Sequence, residues 1–216
     1  GIITGMYPTT LGAQHMRSKV ILPEHIKCFP TYLRRANYWC TNNAKTDYNF
    51  QWKESEVWDE CGRNAHWRHR KSDQQSFFAV FNIELTHESR INFDEAYPQV
   101  KMMLAPAEQR DPTKLTLPPY YPDTPLVRRN WARYYNAITA MDKKVGELLA
   151  QLAQDKLTED TIVFFWSDHG AGLPRAKRWL YDSGTRVPLI VRVPAKFRVD
   201  SQAAPGSTDD RLISFI

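Results

Sequence analysis

Two short apolar runs bracket a long polar segment near the end of this 216-residue chain, and no other feature limits its fold so closely. Residues 161–166 read TIVFFW, rich in β-branched and aromatic side chains and without the polar alternation of a half-exposed strand. The run predicts a central parallel strand buried on both faces. Residues 187–192, VPLIVR, predict a second buried strand. Between the two lie Asp168, His169, Gly170, Gly172, Lys177 and Arg178. The charges are thus confined to a loop that starts where a strand ends, the place at which open α/β sheets hold their ligands. A loop of this length with its own chemistry is usually functional. Asp168 offers a hard oxygen and His169 a neutral nitrogen, and the two glycines let the backbone pass close to an ion or anion.

A third apolar run, residues 76–85 (SFFAVFNIEL), predicts another buried strand. It delivers His87 at its C-terminal end as the first run delivers Asp168, which makes His87 a candidate for proton transfer as well as for a purely structural histidine. Residues 126–154 carry Val127, Trp131, Tyr134, Ile138, Met141, Val145, Leu148 and Leu152 at steps of three and four. That spacing predicts one long amphipathic helix for core packing, with Asp142, Lys143 and Lys144 on its solvated face. Residues 30–36 predict a short helix, and residues 37–41 a short strand leading into the polar stretch that holds Lys45 and Asp47. Residues 92–125, rich in Pro, Asp and Thr, predict an irregular surface crossing, and residues 194–210 a polar loop leading to a further element from Arg211. The whole predicts an α/β chain.

Residues 48–70 place Trp52, Trp58 and Trp67 among charged side chains and two histidines, His66 and His69. Aromatic faces beside charges suit a sugar ring with anionic substituents. Packing of a long insertion on the body of the domain is the alternative, and the one we favour. The histidine pair lacks a third ligand at metal spacing.

Composition removes several classes. A hydrophobic share of 42% with 25% charged residues is that of a globular domain, and no apolar run reaches membrane-spanning length. The net charge of +5 favours anionic ligands only weakly. Cysteines 28, 40 and 61 form no CxxC pair and no zinc spacing, and no P-loop, dinucleotide fingerprint, GxSxG or HExxH is present. No nucleic-acid partner is expected, and oligomeric state is left open.

The ordered set Thr4-Gly5, Lys45, His87, Asp168-His169 and Lys177, followed by residues 180–192 (LYDSGTRVPLIVR), resembles the sulfatase family of the alkaline-phosphatase-like superfamily. It looks most like bacterial heparan N-sulfatase-like members. The resemblance implies a central, largely parallel sheet with helices on both faces. Residues 1–216 would then be a partial catalytic domain, cut at both ends. It further implies cleavage of sulfate esters or N-sulfates of sulfated carbohydrate by a formylglycine that would lie upstream of Gly1. Cys28-Phe29-Pro30-Thr31 fits that nucleophile's pattern only superficially, lacking the arginine, and Cys28 is expected to be a small buried residue near a helix start. Asp168 and His169 would bind one divalent cation, Ca²⁺ in the first instance, with the nitrogen ligand admitting Mg²⁺ or Mn²⁺. Lys45 and Lys177 would grip sulfate oxygens, His87 would serve the leaving oxygen, and Asp47, standing where the family has histidine, would join Arg178 in contacting substrate. A periplasmic or secreted location is implied as well. A phosphodiesterase or phosphonate hydrolase of the same superfamily is the enzymatic alternative, and a fragment without activity, which binds sulfated glycans or nothing, is the third.

Overall fold

A computed structural model describes residues 1–199, 203–211, 213 and 214. Leu212, Phe215 and Ile216, half of the stretch expected to form an element from Arg211, and residues 200–202 of the predicted loop lie outside the described residues. The chain forms two compact units, Gly1–Asn82 with the chain end from Thr208, and Ile83–Ser207.

In the first unit, helix α1 (Phe29–Arg35) leads into strand β1 (Trp39–Asn43), followed by α2 (Glu54–Val57), β2 (Glu60–Cys61) and β3 (Phe77–Phe81). The three strands form a parallel sheet in the order β2-β1-β3. Strand β1 lies in the middle and is the most buried, with Cys40, Thr41 and Asn42 at most 1% exposed. It starts two residues later than the sequence predicts. Asn37 adopts φ 67°, a left-handed conformation that ends α1 and cannot continue into a strand. Asp59 secures the entry to β1: its carboxylate accepts from the Cys40 N–H at 2.8 Å and pairs with Arg34 at 3.0 Å. The core beneath the sheet joins Cys28, Cys40, Phe50, Val57 and Trp58, with Trp58 stacked on Phe78 at 6.1 Å. Cys28 is the residue immediately before α1 and is buried, as its neighbours in the sequence predict.

The second unit is built on helix α5 (Pro125–Gln154), which has Pro at its first position and a Thr124 Oγ1 that accepts from the Val127 N–H. The expected long helix is present and Leu152 is buried as predicted, but its deepest positions are Ala132, Asn136, Ala137 and Ala140 rather than the other large side chains. Small residues let Val100 and Leu104, in and just after α4 (Pro98–Lys101), pack close to the helix. Its polar side chains pin the preceding crossing. Asn136 donates to the Tyr97 hydroxyl at 2.7 Å and accepts from the Arg110 N–H, and Arg128 donates to the carbonyls of Pro112 and Leu115. Lys143, expected on the solvated face, donates instead to the Met103 carbonyl and to Glu108.

Strand β4 (Val163–Trp166) differs from expectation in its pairing. It runs antiparallel to β5 (Leu189–Arg192), and Phe164 and Ile190 are 57% and 62% exposed. The reason lies in the connection. A parallel return needs a crossover of a dozen or more residues, usually a helix, and this loop contains only α6 (Asp182–Thr185), too short to carry the chain back. The run 76–85 is likewise strand only to Phe81, after which residues 84–86 form a single 3₁₀ turn.

Candidate active site

Lys45 and Asp47 belong to the first unit, on the loop that leaves β1. The buried Asn42 shapes this loop. Its amide donates to the Lys45 carbonyl at 2.9 Å, and its oxygen accepts from Asn82 at the end of β3 at 2.9 Å. Lys45 Nζ lies 3.8 Å from the Asp47 carboxylate, which is largely exposed.

The remaining candidates belong to the second unit. His87 precedes helix α3 (Glu88–Asn92) and caps it, its Nδ1 lying 2.8 Å from Ser89 Oγ and accepting from the Ser89 N–H at 3.3 Å. An Nδ1 that accepts puts the proton of the neutral ring on Nε2, so the imidazole is set up as a donor. The next residue, Glu88, is a side chain of this site that sequence reasoning passed over. Its carboxylate receives Lys177 at 3.1 Å and a two-pronged grip from Arg178 at 2.8 and 2.7 Å. The Arg178 hydrogen bonds, reinforced by Lys177, outweigh burial and hold the Glu88 carboxyl at about 2. Its one signal in the sequence is its position directly after a strand-end histidine.

The glycines work otherwise than expected. Both make room for protein rather than for an ion. A Cβ on Gly172 would stand 2.3 Å from the Glu88 Cβ, and one on Gly170 would stand 1.8 Å from the Ser183 carbonyl oxygen. Asn92 of α3 donates to the Gly172 carbonyl at 3.2 Å, and the Lys177 N–H donates to the Ala171 carbonyl at 2.9 Å. The loop after β4 is thereby clamped onto α3, with Lys177 and Arg178 held on Glu88, the residue that follows His87. Glu88 neutralises one of the two cations. Lys177 gives it one of three N–H bonds, so positive charge and donors are left for another anion.

Asp168 and His169 sit side by side, Oδ2 and Nε2 3.6 Å apart. His169 Nδ1 contacts the Gly170 carbonyl at 2.7 Å, which places the ring proton on Nδ1 and leaves the Nε2 lone pair next to the carboxylate. Two acceptors at this spacing fit adjacent positions around a divalent cation. Among the described residues no group of three or more His, Cys, Asp or Glu side chains converges, so the pair would be part of a coordination shell.

Other candidates resolve as structure. Trp58 and Trp67 are each 2% exposed, inside the first unit, and His69 pairs with Glu60 at 2.8 Å. Burial drives the thiols of Cys28 and Cys40 up to about 11 and about 12, so neither is a nucleophile at neutral pH.

The Sulfatase family profile matches residues 1–215, and the chain belongs to the sulfatase family. An ulvan-active sulfatase of Formosa agariphila is 39% identical over 253 residues, covering the whole of this chain and 41% of that protein. Human N-sulphoglucosamine sulphohydrolase is 37% identical over 84 residues, which are 39% of this chain and 17% of that one. Among solved structures, a phosphonate monoester hydrolase from Silicibacter pomeroyi superposes with TM-score 0.54 at 14% identity, over 90% of this chain and 57% of that one. The chain therefore spans well under two thirds of the relatives it matches. Among the described residues, no helix is long and apolar enough to cross a membrane.

Proposed function

We propose that this chain supplies the cationic and metal-binding part of a sulfatase that removes sulfate ester or N-sulfate groups from sulfated carbohydrate outside the cytoplasm. The observation that carries the reading is the Glu88 clamp. It fixes Lys177 and Arg178 beside the segment of His87, although 89 and 90 positions of sequence separate them from Glu88.

In this reading Lys177 holds non-bridging sulfate oxygens, and its fixed charge stabilises the negative charge that grows there as the S–O or S–N bond breaks. His87, with its proton on Nε2, hydrogen-bonds or protonates the departing oxygen or nitrogen. Arg178 contacts the substrate around the sulfate. Asp168 Oδ2 and His169 Nε2 would hold a divalent cation, Ca²⁺ first and Mg²⁺ or Mn²⁺ otherwise, and the nucleophile would be a formylglycine ahead of Gly1. When bound, such a cation polarises the sulfate oxygens.

The fold shared with a phosphonate monoester hydrolase supports a second reading, hydrolysis of phosphoryl esters. Comparing aryl sulfate with aryl phosphate, using protein extended upstream through the nucleophile, separates the two. We expect sulfate to be preferred and Lys177→Ala to lower kcat about 10²-fold or more, with the 216 residues alone inactive. Preference for phosphate establishes the second reading, and turnover by the 216 residues alone removes the upstream nucleophile. Calorimetric titration of Ca²⁺ into the chain and into Asp168→Asn tests the metal pair, and equal affinity in both sinks it.

A further inference from the structure

Residues 174–181 of the second unit carry, beside Lys177 and Arg178, an aromatic and cationic surface made by Arg175, Trp179 and Tyr181, to which the proposed chemistry gives no role. Trp179 and Tyr181 are 55% and 46% exposed, and Leu180 between them is 95% exposed. The two rings lie nearly parallel, centroids 6.3 Å apart and planes at 29°. Together with Arg178 they line a shallow cavity of about 310 Å³.

This surface is built. The Arg175 guanidinium sits 4.3 Å from the Tyr181 ring centroid and 4.5 Å from that of Tyr120, held between the two aromatic faces. Ser183 Oγ donates to the Arg175 carbonyl at 2.5 Å. The Tyr121 hydroxyl donates to the Pro174 carbonyl while its ring packs edge-on against Trp131 of α5 at 5.3 Å, tying the segment to the long helix. On the other side, the pairing of Arg178 with Glu88 fixes the residue next to Trp179. A guanidinium whose flat faces lie against rings keeps its in-plane N–H donors for an oxyanion.

We propose that this surface is a carbohydrate subsite for the sugar next to the one being desulfated. The apolar face of a pyranose lies on Trp179 with Tyr181 beside it, and an anionic substituent of that sugar pairs with Arg175 and the exposed side of Arg178. Aromatic faces supply ring-stacking area with few rotamers to freeze, and the two arginines select a sulfated ligand over a neutral one. The assignment rests on the sulfatase reading for its ligand class, since Trp179 stands two residues from Lys177.

The test is calorimetric titration of the 216-residue chain at physiological ionic strength, where weak attraction to a +5 protein is screened. The probes are a heparin-derived tetrasaccharide, its desulfated counterpart and inorganic sulfate. The sulfated tetrasaccharide should bind at least tenfold more tightly than the desulfated one. Trp179→Ala and Arg175→Ala should each weaken it at least tenfold, and Trp179→Phe should retain most of the affinity. Binding of the tetrasaccharide by both alanine variants within twofold of the parent overturns the subsite, as does a parent chain that does not bind it. Inorganic sulfate tests the underlying reading separately. If its binding is lost in Lys177→Ala while the alanine variants at 175 and 179 bind sugar normally, the subsite fails and the sulfatase reading stands.

Discussion

Residues 48–70 and residues 174–181 are alike in composition, aromatic side chains among charges, and the fold treats them in opposite ways. The first segment buries Trp58 and Trp67 to 2% exposure and gives its charges to short pairs such as His69 with Glu60. The second leaves Trp179 and Tyr181 near half exposed and holds them from behind with Arg175, Tyr120 and Glu88. Aromatic content beside charge therefore does not by itself mark a ligand surface. What separates the two is whether the rings find a sheet to cover: Trp58 stacks on Phe78 and Trp67 on Phe77, both in β3, whereas Trp179 faces its own loop.

The largest effect should come from the buried segment. Trp67→Ala is expected to lower stability by about 3–5 kcal/mol in urea unfolding, the range for emptying an aromatic core position. A loss under 1 kcal/mol would erase the contrast. Next is Gly172→Ala, whose new methyl meets Glu88 at the foot of the exposed segment. It should cost about 1–3 kcal/mol through overpacking, and weaken tetrasaccharide binding along with it.

Glu88→Gln follows, at about 1–2 kcal/mol near neutral pH once partial exposure is allowed for. Because the folded Glu88 carboxyl is depressed to about 2 by Arg178 and Lys177, the unfolded chain takes up that proton first as pH falls. The stabilisation is complete above the ordinary carboxylate range and disappears as pH drops through about 2. Unfolding midpoints between pH 6 and pH 2 should thus fall more steeply in the parent than in Glu88→Gln, and parallel curves would dismiss the clamp. Smallest of all, Trp179→Ala should change stability by less than about 0.5 kcal/mol, and a larger loss would mean that the ring is structural after all.

Much of the fold was legible because its signals are local. The period of α5 and the apolar runs of β3 to β5 all lie within single elements, whereas the Thr124-Pro125 start of the helix was read as part of the preceding crossing. Strand direction was not legible, because TIVFFW reads the same whether its neighbour is parallel or antiparallel, and the choice falls to the connecting loop. The candidate residues were legible only as residue types at predicted strand ends, and the structure brings two of them, Lys177 and Arg178, to Glu88 beside His87. Glu88 escaped notice because its importance lies in partners nearly 90 positions away. The packing of the tryptophans, by contrast, was the favoured reading of residues 48–70, and Trp67 lies against Phe77, Phe81 and the adjacent His66.

The span of the Glu88 clamp also has a kinetic meaning. Closing a loop of about 90 residues costs on the order of 4 kcal/mol of chain entropy, more than a partly exposed ion pair returns. The three charges cannot find one another in an otherwise unfolded chain. They meet only after α5 has drawn the two loops together, so the cations arrive last. A pulse-labelling experiment should see protection of the Lys177 amide develop after that of the helix.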